Sequence, residues 1–490
     1  MSIINHKKRK KWPWVLLVVL VILFAGGFYV YSWIKNLTPE KILQSSFVQK
    51  QIINNLGEDN TKLVNLIPGL LGFDSPKTYL VLFLNNTELR PGGGFIGSYA
   101  TLRLEQGNVN ILQMEGTENI SIASSAPTPP KIISDKLKVD RWFFRDSNWS
   151  PDFVESSKKT LEFYKAGNNI GAKDISGVIG ITTDVLEKLM KVTGPFVVEG
   201  IEFTSDNVIE KLEYEVEYGY DDKGISFSDR KDIMKPFMIA LIDHLKNNLF
   251  KNIYVYQDLA MSLLKNKSIV IYSLPSEIQE IIDSNDWSGR MKGSSGDYLM
   301  WVDANLAALK TDRVIKRNLN YSFVFDKGFY QAVASMTYTH MGNFDWRTTR
   351  YLSYARVYVP VGSQLTSVQV GDQTWQINGN KNTFEVDSGI ENNKQWFGAY
   401  VAIEPGYKKT VSFIYSLPSS ITQSILNKTY NLLIQKEIGV NNVDLTTHLE
   451  FDTTNTVTSA IPAENEINWN DNKYDFSVVF DEDKNFVINF

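Results

Sequence analysis

The sequence of 490 residues contains no cysteine, which removes disulfides, thiolate metal sites and cysteine nucleophiles together. Only four histidines are present, His6, His244, His340 and His448, and they are scattered. A histidine metal site or a serine-histidine triad therefore has little to draw on. A P-loop is missing, because no glycine-lysine-serine or glycine-lysine-threonine run occurs. Positive charge is short as well. Past residue 35 there are 44 basic against 55 acidic residues, a net charge of −11, which argues against a nucleic-acid partner. No internal repeat is evident, so a solenoid is not expected. What remains is a globular composition, 43% hydrophobic and 12% aromatic, in a chain long enough for two or three domains.

The N-terminus carries the longest uncharged run. Residues 14–34 are 21 residues without a charge, about enough to cross a hydrocarbon core as a helix. Lys7, Lys8, Arg9, Lys10 and Lys11 precede the run and Lys35 alone follows it, which places the N-terminus inside and the main chain outside. Trp12, Trp14, Tyr29, Tyr31 and Trp33 supply aromatic belts at its edges. A cleaved signal peptide would share the basic start, but the run is long for one and no small-x-small site ends it. The sequence thus predicts a cytoplasmic tail over 1–13, a transmembrane helix over 14–34, a helical linker over 35–74 and an extracytoplasmic remainder in the cell envelope.

Beyond the linker, helices and strands alternate. Residues 79–84 and 99–104 read as strands, and 176–181 as another. An amphipathic helix over 184–192 is stopped by Gly194 and Pro195, and a strand over 196–198 follows, which together suggest a βαβ unit. Residues 229–249 form the longest helical pattern, with Pro236 at a kink or in a first turn. Helices over 253–264 and 275–282 flank a strand over 268–272. This predicts an α/β domain with a mixed sheet over 75–313. From Val314 the pattern becomes short alternating strands separated by Gly, Asn, Asp and Pro turns, so a β-sandwich region of one or two subdomains is expected over 314–490.

The densest polar signal is the turn between the first two strands, NNTELRPGGGFIG. Its glycines allow positive φ and close backbone approach, so Asn86, Glu88 and Arg90 could face a ligand above the amides of Gly93 and Gly94. Simple pairing of Glu88 with Arg90 is the plainer reading. GGGFIG formally satisfies the dinucleotide fingerprint, but a strand rather than a helix follows it, so no nucleotide cofactor is expected. A second patch, RWFFRDSNWSPDF, offers Asp146, Asn148 and Asp152 for a metal or a hydroxyl, with helix N-capping the competing explanation. WVDANLAALKTDR places Asp303, Asn305 and Lys310 after a short apolar run, as the second half of a site or as an N-cap and solvated exit loop.

At ELRPGGGFIGSY, RDSNWSPDF, SGVIGITTDVLEKLMKVTGPFVV and VDANLAALKTDR, in that order, the chain resembles the bacterial envelope family known as domain of unknown function 4012. The resemblance spans roughly residues 75–320 and carries no established activity. More distantly, the strand, arginine-glycine loop and second strand look like those of the LytR-CpsA-Psr phosphotransferases. Those are membrane-anchored α/β enzymes that move a glycopolymer phosphate from a polyprenyl pyrophosphate carrier to peptidoglycan. That resemblance implies catalytic roles for Arg90, Arg230 and the adjacent Asp229, and a bound Mg²⁺, for which Asp146 and Asp152 are the candidate ligands from the residues themselves. The same reading of the residues makes Asn86, Glu88, Gly93, Gly94, Asn148, Asn305 and Lys310 the candidate substrate contacts. Two departures stand out. The enzymes' arginine and aspartate entering the second strand are replaced here within Phe95, Ile96, Gly97 and Ser98, and their second helix arginine has only Lys235, Pro236 and Phe237 near its place. The expectation is a protein that binds, and with the missing groups supplied transfers, a phosphorylated glycopolymer or a polyprenyl-linked cell-wall glycan. The alternative is a noncatalytic surface adhesin or assembly scaffold that works through the β region.

Overall fold

The computed structural model describes residues 69–70, 72–106, 108–120, 127–227, 230–231, 233–249, 253–376 and 386–490. The expected membrane span and Asp229 lie outside them. Among the described residues no helix is long and apolar enough to cross a membrane. The chain is mixed α/β with a strand-rich C-terminal part, and it forms two compact units. One comprises Met1–Leu84, Ile96–Ser124 and Ser157–Ser288, and the other Asn85–Phe95, Ser125–Ser156 and Gly289–Phe490.

The first unit is built on a five-stranded mixed sheet of β1 (Lys77–Asn85), β2 (Phe95–Glu105), β3 (Asn108–Gly116), β4 (Ile175–Thr182) and β7 (Ile269–Ser273), in the order β3-β2-β1-β4-β7. β1 and β4 run parallel, and β4 pairs antiparallel with β7. Leu80, Val81, Leu82 and Leu84 of β1 are fully buried, which is why this strand reads as a continuous apolar run and not as an alternation. α1 (Phe153–Ala166), whose first four residues belong to the second unit, precedes β4; α2 (Asp184–Thr193), α3 (Val208–Tyr214), α4 (Met234–Leu249) and α5 (Ile253–Lys265) lie between β4 and β7, and α6 (Ser276–Ser284) follows β7. α2 ends where Gly194, at φ 83°, donates its amide to Met190 O. Pro236 sits in the first turn of α4, where a missing N–H costs nothing.

The expected βαβ unit does not form. β5 (Phe196–Val198) pairs antiparallel with β6 (Ile201–Phe203) in its own two-stranded sheet. The two residues between them, Glu199 and Gly200, have φ of 49° and 80°, the backbone of a tight hairpin turn whose twist matches the strands. A two-residue turn ending in glycine therefore sends the chain straight back before β5 can reach the main sheet.

The second unit holds two seven-stranded sheets. The first contains β9 (Ile315–Asp326), β10 (Phe329–His340), β12 (Gln364–Val370), β13 (Gln373–Gln376), β16 (Lys408–Ser416), β18 (Val443–Glu450) and β20 (Lys473–Phe480), in the order β13-β12-β16-β10-β9-β18-β20. The second contains β8 (Asp297–Asn305), β11 (Tyr351–Pro360), β14 (Val386–Glu391), β15 (Lys394–Ile403), β17 (Thr429–Ile434), β19 (Ser459–Ile461) and β21 (Lys484–Asn489), in the order β14-β15-β11-β8-β17-β21-β19. Both are antiparallel apart from one parallel pairing each, β9 with β18 and β8 with β17. Inward side chains of both sheets, among them Trp301, Tyr321, Phe323, Phe413, Tyr430 and Phe451, share one buried cluster. β9 and β10 alternate buried with more exposed residues, the pattern of strands covered on one face. β8 is buried at all nine positions, its two aspartates included.

Candidate functional site

The turn 85–95 belongs to the second unit. Asn85 Oδ1 accepts from the Thr87 amide at 3.1 Å and from its hydroxyl at 2.6 Å, which starts the turn. The Phe95 amide closes it on Glu88 O at 2.8 Å. The glycines are used for backbone packing. A Cβ on Gly94, which has φ 144°, would stand 2.6 Å from the Asn85 carbonyl. A Cβ on Gly439, at φ 78°, would stand 2.2 Å from Gly93 O. Side chains fasten the same contacts: Asn86 Nδ2 donates to Gly439 O at 2.8 Å and Asn148 Nδ2 to Gly94 O at 2.7 Å.

Arg90 is only 2% exposed. Its Nε donates to Asp146 Oδ1 at 3.0 Å and its Nη2 to Glu88 Oε1 at 3.3 Å. Nη1 donates to Leu89 O at 3.1 Å and Asn305 O at 2.5 Å. The guanidinium is thereby engaged on every nitrogen, and the pairing with Glu88 is present. Burial pushes the Glu88 carboxyl above the usual range, with Arg90 and Lys310 drawing it back. Lys310 donates its amide to Arg347 O at 2.8 Å. Asn305 is wholly buried, donating to Leu309 O at 3.0 Å and Asp312 Oδ2 at 2.8 Å.

The two carboxylates expected to hold Mg²⁺ do not fit one. Asp152 is the N-cap of α1: its Oδ1 accepts the amides of Val154 and Glu155 at 2.9 and 3.1 Å. Its Oδ2 accepts the Met291 amide at 3.1 Å. Asp146 is taken by Arg90 and lies 3.6 Å from Arg145. Among the described residues there is no group of three or more acidic or histidine side chains placed to hold a metal. A hard cation needs several free oxygens at once, and these are already committed to N–H donors.

Of the largest polar feature of this unit, sequence reasoning picked out Asp303 and missed its partners Asp312, Arg317 and Glu437. Asp303, Asp312, Arg317 and Glu437 are all buried together. Arg317 Nε donates to Asp303 Oδ2 at 2.9 Å, and its Nη2 to Asp312 Oδ1 at 2.5 Å and the Tyr351 hydroxyl at 2.8 Å. Asp303 also accepts from Tyr338 at 2.6 Å and Ser353 at 3.0 Å. Asp312 Oδ2 accepts the Leu89 amide at 3.0 Å, which ties this network to the residue before Arg90. Burial opposes the Arg317 charge, yet Tyr351, Asp303 and Asp312 hold it well above the usual range. Burial, reinforced by Asp303, pushes the Glu437 carboxyl well up. The available signal was Asp303 at the end of the apolar run Tyr298 to Val302.

In the first unit, Arg230 and Lys231 precede α4. Lys231 Nζ donates to Glu118 Oε2 at 2.6 Å and to Gly97 O at 2.5 Å. Arg230 Nη2 lies 3.3 Å from Glu118 Oε1, and its guanidinium sits 3.8 Å over the Phe227 ring. Arg230 Nε is buried with no hydrogen-bond partner among the described residues. Burial works against ionised Glu118, but Lys231 and Arg230 hold its carboxyl below the usual range. Burial draws the Lys231 ammonium down. A small apolar cavity of about 10 Å³, room for about one water, lies in the same unit between the sheet and α4. Val81 and Phe83 of β1, Ala100 and Leu102 of β2, Val109, Ile111 and Met114 of β3, and Met238 and Ile242 of α4 line it.

No curated protein matches this chain. Among solved structures, a Legionella pneumophila protein described as nutrient-binding is 8% identical with a TM-score of 0.25, over 39% of this chain and 71% of that one. TagV of B. subtilis is 11% identical with a TM-score of 0.25, over 44% of this chain and 81% of that one. Leukotriene A4 hydrolase of Saccharomyces cerevisiae is 11% identical with a TM-score of 0.21, over 36% of this chain and only 28% of the hydrolase. At such scores the likeness carries no function to this chain. The sequence family is clearer: residues 74–217, which hold the glycine turn, Arg90, Asp146 and Asp152, match the family of proteins of unknown function DUF4012.

Proposed function

We propose that this chain is a single-span, extracytoplasmic envelope protein that binds a phosphorylated glycopolymer through its polyprenyl-phosphate carrier. On this reading the first unit is a LytR-CpsA-Psr-like domain and the second a β-sandwich. The observation that carries it is the pair of cations that leads into α4, Arg230 and Lys231, gathered on Glu118. A phosphate needs such cations, while the apolar cavity of about 10 Å³ between the sheet and α4 would have to widen to take a prenyl chain. Arg230 has a buried Nε without a partner among the described residues, which a phosphate oxygen would satisfy. The Glu118 carboxylate would have to release one of these cations when the phosphate binds.

The phosphate role passes from Arg90 to Arg230 in this proposal, because the nitrogens of Arg90 are already engaged in a buried site. Transfer of the phosphate is not part of it. Asp146 and Asp152 are committed elsewhere, which favours a binding protein, or the second reading of a noncatalytic envelope scaffold, over an enzyme. The test is binding of a labelled polyprenyl-pyrophosphate glycan to the full chain and to an Arg230→Ala/Lys231→Ala variant. A loss of about tenfold or more in affinity is expected, equivalent to about 1.4 kcal/mol. Equal binding by both proteins would remove the cations from the site. No binding by either would leave the scaffold reading.

A further inference from the structure

The two sheets of the second unit bring three loops to one end. The strand pairings place them there: His340 opposes Ile315, Thr339 opposes Lys408, Tyr351 opposes Ile403 and Ser353 opposes Asn305. The loops are residues 306–314, 341–350 and 404–407. Backbone hydrogen bonds knit them together. The His340 amide donates to Tyr407 O and the Gly406 amide to His340 O, both at 3.0 Å. The Lys310 amide donates to Arg347 O and the Met341 amide to Val314 O, both at 2.8 Å. Inside the middle loop, Asp345 Oδ1 accepts the amides of Arg347 and Thr348, each at 2.7 Å.

This fixed framework holds large apolar side chains out in water. Met341 is 70% exposed, Tyr407 67%, Phe344 65%, Leu309 47% and Trp346 37%. Single exposed apolar residues are ordinary, but five on three interlocked loops form a patch. The charge around it is equally distinctive. Lys310, Arg313, Lys408 and Lys409 stand in or beside these loops, where Arg347 is buried, Arg350 is paired with Glu404 and Lys316 with Asp444; the loops' own carboxylates are Asp312, Asp345 and Glu404. Of these acids, Asp312 is buried on Arg317 and Asp345 is turned to backbone amides. A chain of formal net charge −5 therefore gathers an excess of positive charge around its exposed aromatic and aliphatic tip.

We propose that this tip is a peripheral membrane-contact surface: Met341, Phe344, Trp346, Tyr407 and Leu309 enter the interfacial layer of an anionic bilayer, and the surrounding lysines and arginines meet its phosphate headgroups. The side-chain set selects this partner. Met, Leu and Phe at loop ends suit acyl chains and offer nothing to a sugar hydroxyl, while Trp and Tyr suit the interface itself. The cations supply the preference for anionic lipid. This contact is separate from the N-terminal span and does not depend on the glycan proposal.

The lack of native cysteine makes the test direct. The full chain carrying Phe344→Cys, labelled with an environment-sensitive fluorophore, is reconstituted in phosphatidylcholine vesicles with and without about 30% phosphatidylglycerol, each doped with nitroxide lipids. Asp326→Cys, exposed at the opposite end of β9, is the control site in the same unit. Quenching at Phe344→Cys should exceed that at Asp326→Cys at least about threefold and should rise with anionic lipid. Adding Met341→Ser and Tyr407→Ser should reduce it about threefold with the fold intact by circular dichroism. Equal quenching at the two sites, no dependence on anionic lipid, or energy transfer between labelled copies in place of lipid quenching would each overturn the proposal.

Discussion

Replacing Arg90 by leucine should unfold the second unit far more easily rather than abolish a ligand contact. The side chain gives up an ion pair to Asp146 at 3.0 Å, another to Glu88 at 3.3 Å and two hydrogen bonds to carbonyls. At about 1.5–3 kcal/mol for each charged hydrogen bond, a naive sum exceeds 6 kcal/mol. Relaxation lowers it, because Arg145 lies 3.6 Å from Asp146 and Glu88 is partly exposed. Removing one partner of a buried pair ordinarily costs about 3–5 kcal/mol, which we take as the expected loss. Tryptophan fluorescence during denaturant unfolding is weighted toward it, because seven of the eleven tryptophans belong to this unit; replacing Trp287 of the first unit by Phe sharpens the report. The deficit should also grow with pH. Without Arg90 the raised pKa of Glu88 rises further, and a carboxyl raised by folding stabilises below its unfolded pKa and loses that contribution as pH climbs through its folded one. Pairing Arg90→Leu with Asp146→Asn should recover part of the loss, since the stranded charge goes too. A variant within about 1 kcal/mol of the parent would refute this reasoning and return Arg90 to the ligand.

Two further outcomes follow from the same unit. Burial pushes Asp297 up to about 6, against donation from the Tyr321 and Tyr430 hydroxyls and the Tyr298 amide. Its contribution to stability should therefore be complete below about pH 4 and fade by pH 7, a change of about 3 kcal/mol. Relative to Asp297→Asn, the parent should lose that amount between those pH values in denaturant titrations, and a pH-independent difference would contradict it. Gly439→Ala should cost about 2–4 kcal/mol, because the new methyl meets Gly93 O and the backbone is left-handed. Gly328→Ala, at φ 93° with nothing within 4 Å in the same unit, isolates the backbone part and should cost only about 1 kcal/mol in the same melts.

Local signals in the sequence foretold local structure well. The apolar run at 79–84, the amphipathic stretch ending at Gly194 and the alternating strands after Val314 all appear as β1, α2 and the strands from β9 on. What failed was pairing at a distance. β5 carries the residues of a sheet strand, and only the Glu199-Gly200 turn says that its partner is β6. The candidate site failed for a related reason. Glu88 and Arg90 look exposed in a glycine-rich turn, but Asp146, Asn305 and Asp312 converge on that turn from distant positions and bury it. Asp303 was legible as a polar residue closing an apolar run, but its burial was not, and Glu437 carried no local pattern: a buried carboxylate is marked only by the distant groups that meet it.

The close approach of Gly93 to Gly439 also sets an order of events for the growing polypeptide. The turn 85–95 is made early, but its partners Asn305, Asp312 and Gly439 follow 215 to 353 residues later. Until the last segment emerges, Arg90 and its acids have no complete burial site, and the matched segment 74–217, which contributes to both units, still lacks β7 and α4 to α6 of the first and every strand of the second. Such long-range closure is slow and leaves strand edges open meanwhile. A nascent chain of this kind depends on being kept from its neighbours until its C-terminal strands arrive, and fragments cut at the family boundary should aggregate where the whole chain folds.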